Sequence, residues 1–180
     1  MHLPAIDAQP ARHPPVRDIR DLLTFRLAAI STACDRLGQR WLSEDHDLRI
    51  AEWRALGVTA AMAPARFQDL ARTLLMDKGR LSRVVRALAA RRLVVTEPDC
   101  DDQRTVIVRL TEEGRALHGR ILVEAHTRNE AVARGLSANE VADLFRLIDK
   151  LEPFMIKRVG SQFQNEDARA PGEHEPTGRK

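Results

Sequence analysis

Tyrosine is absent from these 180 residues, and aromatic side chains make up only 4% of them. That is too few for the ring platforms on which proteins stack the bases of single-stranded nucleic acid. Cysteine is nearly absent too. Cys34 and Cys100 stand far apart, and two such residues build neither a disulfide framework nor a zinc spacing. No apolar run approaches the length of a membrane span, and the first residues hold no signal-peptide core, which points to a cytoplasmic protein. Gly-x-Ser-x-Gly, phosphate loops and metal-binding signatures are missing, so the usual starting points for an enzyme are not there and no cofactor is expected. The histidines are scattered, and His118 and His126 lie too far apart for the adjacent-turn pairing of helical metal ligands, so no metal is expected either.

What is present is a globular composition, 43% hydrophobic and 31% charged, long enough for one domain with a sizeable core or a compact domain plus an extension. A net charge of +3 favours a polyanionic partner without demanding one. Arginine outnumbers lysine 25 to 4, a bias that suits forked contacts to phosphates and bases but that nucleotide composition can equally produce.

The chain is organised around Asp77 to Arg92. Leu81, Val84, Val85 and Leu88 fall at i, i+3, i+4 and i+7, while Lys78, Arg80, Ser82, Arg83 and Arg86 take the remaining surface. Asp77 is a good N-cap. A short basic helix of this kind fits a DNA major groove, although the stretch alone fits a solvated basic face equally well. Its neighbours decide. Phe67, Leu70, Ala71 and Leu74 mark a short helix just before it, separated by Leu75 and Met76, which makes a helix-turn-helix whose turn lacks the usual glycine. After it, Leu93–Thr96 and Thr105–Leu110 are β-branched runs joined by the polar turn Glu97–Gln103, a hairpin in the position of a wing. Arg104 sits where the loop rejoins the second strand, able to reach into a minor groove, with Asp102 close enough to hold it.

The flanks are helical. Pro4, Pro10, Pro14 and Pro15 make the first residues an extended arm. From Ile19, the residues Leu23, Leu27, Ile30, Cys34, Leu37 and Trp41 recur at helical steps to about Ser43, more apolar surface than one small core needs, so part of this helix is available to a second subunit. Cys34 on this stripe reads as a small core residue. A second helix is expected over Leu48–Ala61, with Ile50, Trp53 and Leu56 inward. Thr111 opens another helix, with Leu117, Ile121, Leu122 and Ala125 inward, running to about Arg134 and stopped by Gly135. Ser137 and Glu140 form the capping box of a last helix striped by Val141, Leu144, Phe145, Ile148 and Leu151. Beyond Gly160 the composition is that of a disordered tail.

Over roughly Leu22 to Leu151 the chain resembles the MarR family of bacterial winged-helix regulators. The resemblance rests on the Asp77 helix, on Asp99-Cys100-Asp101-Asp102-Gln103-Arg104 at the wing tip, on Leu110-Thr111-Glu112-Glu113-Gly114 after the wing, and on the break at Gly135-Leu136-Ser137. It implies a mainly α fold with a small β-hairpin wing: a winged helix-turn-helix, six helices and an α-helical dimerisation region. The corresponding parts are an arm over 1–18, a first dimerisation helix over 19–47, a DNA-binding lobe over 48–110, further dimerisation helices over 111–159 and a tail over 160–180. The resemblance also implies a homodimeric regulator of transcription, a repressor on a pseudo-palindromic double-stranded operator, released by a small effector.

By the same analogy Lys78, Gly79, Arg80, Ser82, Arg83 and Arg86 meet the major groove or its phosphates, Gln68 and Arg72 lie near the backbone, and Asp102 and Arg104 serve the minor groove. Trp41, His46, Trp53 and Arg54 flank the place where the family binds effectors. An aromatic wall with one cation would suit an aromatic carboxylate, while the same tryptophans also read as core. Three departures stand out: Arg49 where a Ser or Thr cap is usual, Thr96 and Glu97 at positions that are often basic, and Cys100 in place of a common proline. Cys100 is a candidate for thiol oxidation, although its Asp neighbours disfavour the thiolate. The alternative function is a winged-helix module for DNA architecture or protein contact without an effector.

Overall fold

The computed structural model describes residues 15–100 and 102–167. Most of the expected N-terminal arm, residue 101 of the wing tip and residues 168–180 of the expected tail lie outside the described residues. The chain divides into two compact units, Met1–Ile50 and Ala51–Lys180.

In the first unit, Asp18 and Asp21 form a reciprocal capping box around a single 3-10 turn, Ile19–Asp21. The long helix therefore starts later than its apolar pattern does: α1 spans Leu23–Asp45. Only its C-terminal end is covered, where Trp41 and Leu42 are buried and the His46 ring meets Trp41 edge-on at 5.4 Å. Leu23, Leu27, Ile30 and Leu37 are exposed, Leu37 at 69%. Cys34 lies on the same open stripe and is exposed, which corrects its reading as a core residue: helical spacing gives the stripe but does not say which chain covers it. Gln39 Oε1 accepts the backbone amide of Ile50 at 3.0 Å.

The second unit carries the sheet and the remaining helices. With Arg49 unable to cap, α2 begins two residues after the expected start and runs Ile50–Ala61, burying Ala55, Leu56 and Thr59. A two-residue strand that the sequence does not announce, β1 (Ala65–Arg66), leads into α3 (Phe67–Thr73). The turn to α4 (Lys78–Ala90) uses Leu75 at φ 50°, a left-handed position that a glycine would occupy without strain. Strands β2 (Val94–Pro98) and β3 (Val106–Leu110) form the hairpin, and the antiparallel sheet has the order β1-β3-β2, with Arg66 opposite Ile107 and Glu97 opposite the same residue from the other side. Leu56, Leu70, Leu81, Leu88, Val94, Val108 and Ile121 are fully buried and make the core of this unit.

The junction after the wing explains its Leu-Thr-x-x-Gly pattern. Thr111 caps α5 (Glu112–Val132) by accepting the Gly114 amide at 2.9 Å, while its hydroxyl donates to the Arg92 carbonyl at 2.7 Å. A Cβ on Gly114 would collide with the Leu93 carbonyl, lying 2.9 Å from its carbon and closer still to its oxygen.

Two helix ends differ from expectation. Helix α5 stops at Val132, where the Ala133 amide closes onto Asn129 and Ala131, and Gly135 takes no left-handed conformation because ordinary turn bonds already satisfy the end. Helix α6 (Ala138–Asp167) opens on the Ser137–Glu140 box as expected, with the Ser137 amide 2.8 Å from Glu140 Oε2. It then continues past Gly160 with Pro153 inside it, the apolar spacing carried on by Phe154. Its stripe of Leu144, Phe145, Ile148 and Leu151 is exposed.

Candidate nucleic-acid interface and ligand groove

Helix α4 is built to present one face. Asp77 Oδ1 accepts the Arg80 amide at 2.7 Å and fixes the first turn. Leu81, Val85 and Leu88 anchor the opposite side in the core, with Val84 half-buried. Lys78, Arg80, Arg83 and Arg86 are all exposed, and Ser82 is half-buried among them. Gly79 lies in the first turn, where a Cβ would come within 3.3 Å of the capping carboxylate. On α3, Gln68 is exposed, and Arg72 is exposed with its guanidinium 3.2 Å from Asp69 one turn back. Such a surface pair is worth little and yields readily to a phosphate. The structure thus brings these cations together on α3 and α4, around a helix-turn-helix.

The wing is shaped by carboxylates. Asp102 Oδ1 accepts the backbone amide of Arg104 at 3.0 Å and Oδ2 the Thr105 hydroxyl at 3.0 Å, so Asp102 holds the backbone of Arg104 rather than its guanidinium. Arg104 is exposed. Glu97, one of the departures along the wing, pairs with Arg109 across the hairpin, and that hydrogen bond raises the Arg109 pKa. Where the wing loop leaves β2, Asp99 is buried and takes an ion pair from Arg66 Nε at 3.1 Å. Cys100 is exposed, its thiol 3.7 Å from Asp99 Oδ1.

A groove of about 700 Å³ lies within the second unit. Trp53, Arg54 and Gly57 supply its α2 side, Leu74 and Leu75 of the helix-turn-helix its floor, and His118 and Leu122 its α5 side. The imidazole of His118 stacks on Trp53 with ring centroids 5.3 Å apart and planes at 27°. Gly57 lies beside the ring, where a Cβ would make an ordinary van der Waals contact with His118 Nε2 at 3.7 Å. Burial lowers the His118 pKa, so the ring is neutral at physiological pH. Of the residues the sequence singles out here, Trp53 and Arg54 share this groove, while Trp41 and His46 pair with each other instead. His118 was missed because its partner lies far off in sequence and no spacing rule links α2 with α5. Among the described residues no cluster of His, Cys, Asp or Glu could hold a metal, and no helix is long and apolar enough to cross a membrane.

Comparison with known proteins bears on the whole arrangement. The family model described as the MarR family matches residues 46–105. The transcriptional repressor NicR of Pseudomonas putida is 33% identical over 88 residues, a match that covers 49% of this chain and 56% of that protein. The chain therefore spans little more than half of that relative. Among solved structures, a mutant of MarR from Escherichia coli complexed with operator DNA is 27% identical, with a TM-score of 0.65 over 72% of this chain and 92% of that one. BpsR of Bordetella bronchiseptica, whose DNA binding is regulated by 6-hydroxynicotinic acid, has the same fold at 21% identity, with a TM-score of 0.68 over 77% and 98% of the two chains.

Proposed function

We propose that the chain is a member of the MarR family of winged-helix transcriptional regulators, whose model matches residues 46–105, and that it is a homodimeric repressor. Its two winged helices read a pseudo-palindromic operator and release it when an aromatic carboxylate fills the groove beside Trp53. Lys78, Arg80, Ser82, Arg83 and Arg86 meet base edges and phosphates in the major groove, with Gly79 letting the backbone come close. Gln68 and Arg72 meet the backbone of the duplex, and Arg104, presented by Asp102, enters the minor groove. Residues 48–110 form the DNA-binding lobe in this reading, and residues 19–47 and 111–159 the dimerisation region.

The observation that carries the reading is the divided surface of α4, apolar where it meets the core and cationic where it meets solvent, with a hairpin wing beside it. The dimer is supported by the open apolar stripes of α1 and α6, far more exposed surface of that kind than a monomer keeps. The effector is supported by the size of the groove, its stacked rings and the cation Arg54, and by BpsR, a protein of the same fold regulated by such an acid.

The test is a titration of the full chain against its own upstream DNA. Salt-sensitive retardation at one inverted repeat, with two protomers per duplex, supports the regulator. Smearing that grows with duplex length favours DNA architecture, and no retardation on any DNA favours a protein-contact module. Adding hydroxybenzoates and hydroxynicotinates to the complex then tests release.

A further inference from the structure

We propose that Arg66 is a positioning residue for the wing: by gripping Asp99 where the hairpin leaves β2, it sets the height at which Arg104 is presented to DNA. The inference rests on the reading of Arg104 as a minor-groove contact.

Arg66 occupies the N-cap position of α3, where Ser, Thr, Asp or Asn would bond the first-turn amides, and it makes no such bond. Its side chain is spent elsewhere. Strands β1 and β2 flank β3 on opposite sides, so they run about 10 Å apart. The Arg66 guanidinium spans that gap to reach Asp99, 33 residues on, just beyond the end of β2. The Asp99 side chain is only 7% exposed, and a carboxylate removed from water to that degree needs a partner charge or hydrogen bonds.

The backbone of Asp99 does a second job. Its amide donates to the Thr105 carbonyl at 2.8 Å and closes the wing loop one residue beyond Arg104. One residue therefore joins the grip to the loop that carries the DNA contact. β1 continues directly into α3, so the pair ties the wing to the helix-turn-helix independently of the hairpin's own hydrogen bonds. Besides it, the hairpin is fastened to the lobe by the two-residue pairing of β1 with β3 and by the buried side chains of Val94, Ile107, Val108 and Leu110.

The experiment uses duplexes bearing the inverted repeat that the full chain selects from a random pool, flanked by A·T or by G·C pairs. The unsubstituted chain, Arg66→Met, Arg104→Ala and the double variant are titrated with each. The unsubstituted chain should favour A·T flanks by roughly tenfold. Arg66→Met should lose most of that preference while still discriminating against a scrambled repeat, and the double variant should lose no more than Arg104→Ala alone. Full flank preference in Arg66→Met overturns the positioning role and leaves the reading of Arg104 standing. Unchanged flank preference in Arg104→Ala overturns that reading, and this inference with it. If thermal melts show that Arg66→Met does not fold, Asp99→Asn, which keeps the shape and removes the charge, is read by the same criteria.

Discussion

Arg83 lies in the middle of the exposed face of α4, one turn from Arg80 and one from Arg86, and it is the side chain best centred to meet a base edge. Replacing it with alanine should weaken binding to the selected repeat by roughly 1–3 kcal/mol and relax preference at one position per half-site. Equal loss on random DNA would show that it holds phosphate instead. Gly114 makes a prediction of a different kind, because its missing Cβ is what lets α5 start against the Leu93 carbonyl. Gly114→Ala should lower the unfolding free energy by about 3 kcal/mol, read from a denaturant midpoint. His118 adds a pH signature. Its folded pKa is depressed by burial, so as pH falls through about 6.5 the unfolded chain takes up protons before the folded one and stability declines. His118→Phe keeps a ring on Trp53 and should flatten the melting temperature between about pH 7.5 and 5.5.

Among the elements, α4 was the most legible from sequence, because cap, stripe and charged face are all local signals and each recurs in the structure. Asp77→Ala should accordingly cost about 0.5–2 kcal/mol of stability, and with the first turn frayed it should also reduce operator affinity. The Ser137–Glu140 box and the Thr111 cap were legible for the same reason. β1 was not: Ala65 and Arg66 have no strand propensity of note, and they are extended because β3 offers partners more than forty residues later. The Arg66–Asp99 pair and the Trp53–His118 stack escaped in the same way, since both are contacts between elements that no spacing along the chain encodes. Gly135 misled in the opposite direction. A glycine after an apolar pattern signals a left-handed cap, yet α5 ended on ordinary turn bonds before reaching it.

At the scale of the whole molecule, the sequence shows the stripes of α1 and α6 and the excess of apolar surface on α1, but not which residues of a stripe lie in the core, because the same spacing serves a core and an interface between chains. Cys34 is the clearest instance. In solution the chain should sediment as a dimer, and Phe145→Asp, which puts a charge on the open face of α6, should shift it toward monomer and abolish cooperative binding to the inverted repeat. A dimer unaffected by that change would place the interface elsewhere.

Leu74 and Leu75 belong at once to the floor of the groove and to the turn that aims α4. Two ligands that each require that turn in a particular state are thermodynamically linked, and the linkage runs both ways with one factor. An acid that weakens operator affinity a given number of times must itself be bound that many times more weakly by the operator-bound protein. If the acid and the operator proposed above are such a pair, the operator is a negative effector of the groove, and more acid is needed for release where operator is abundant.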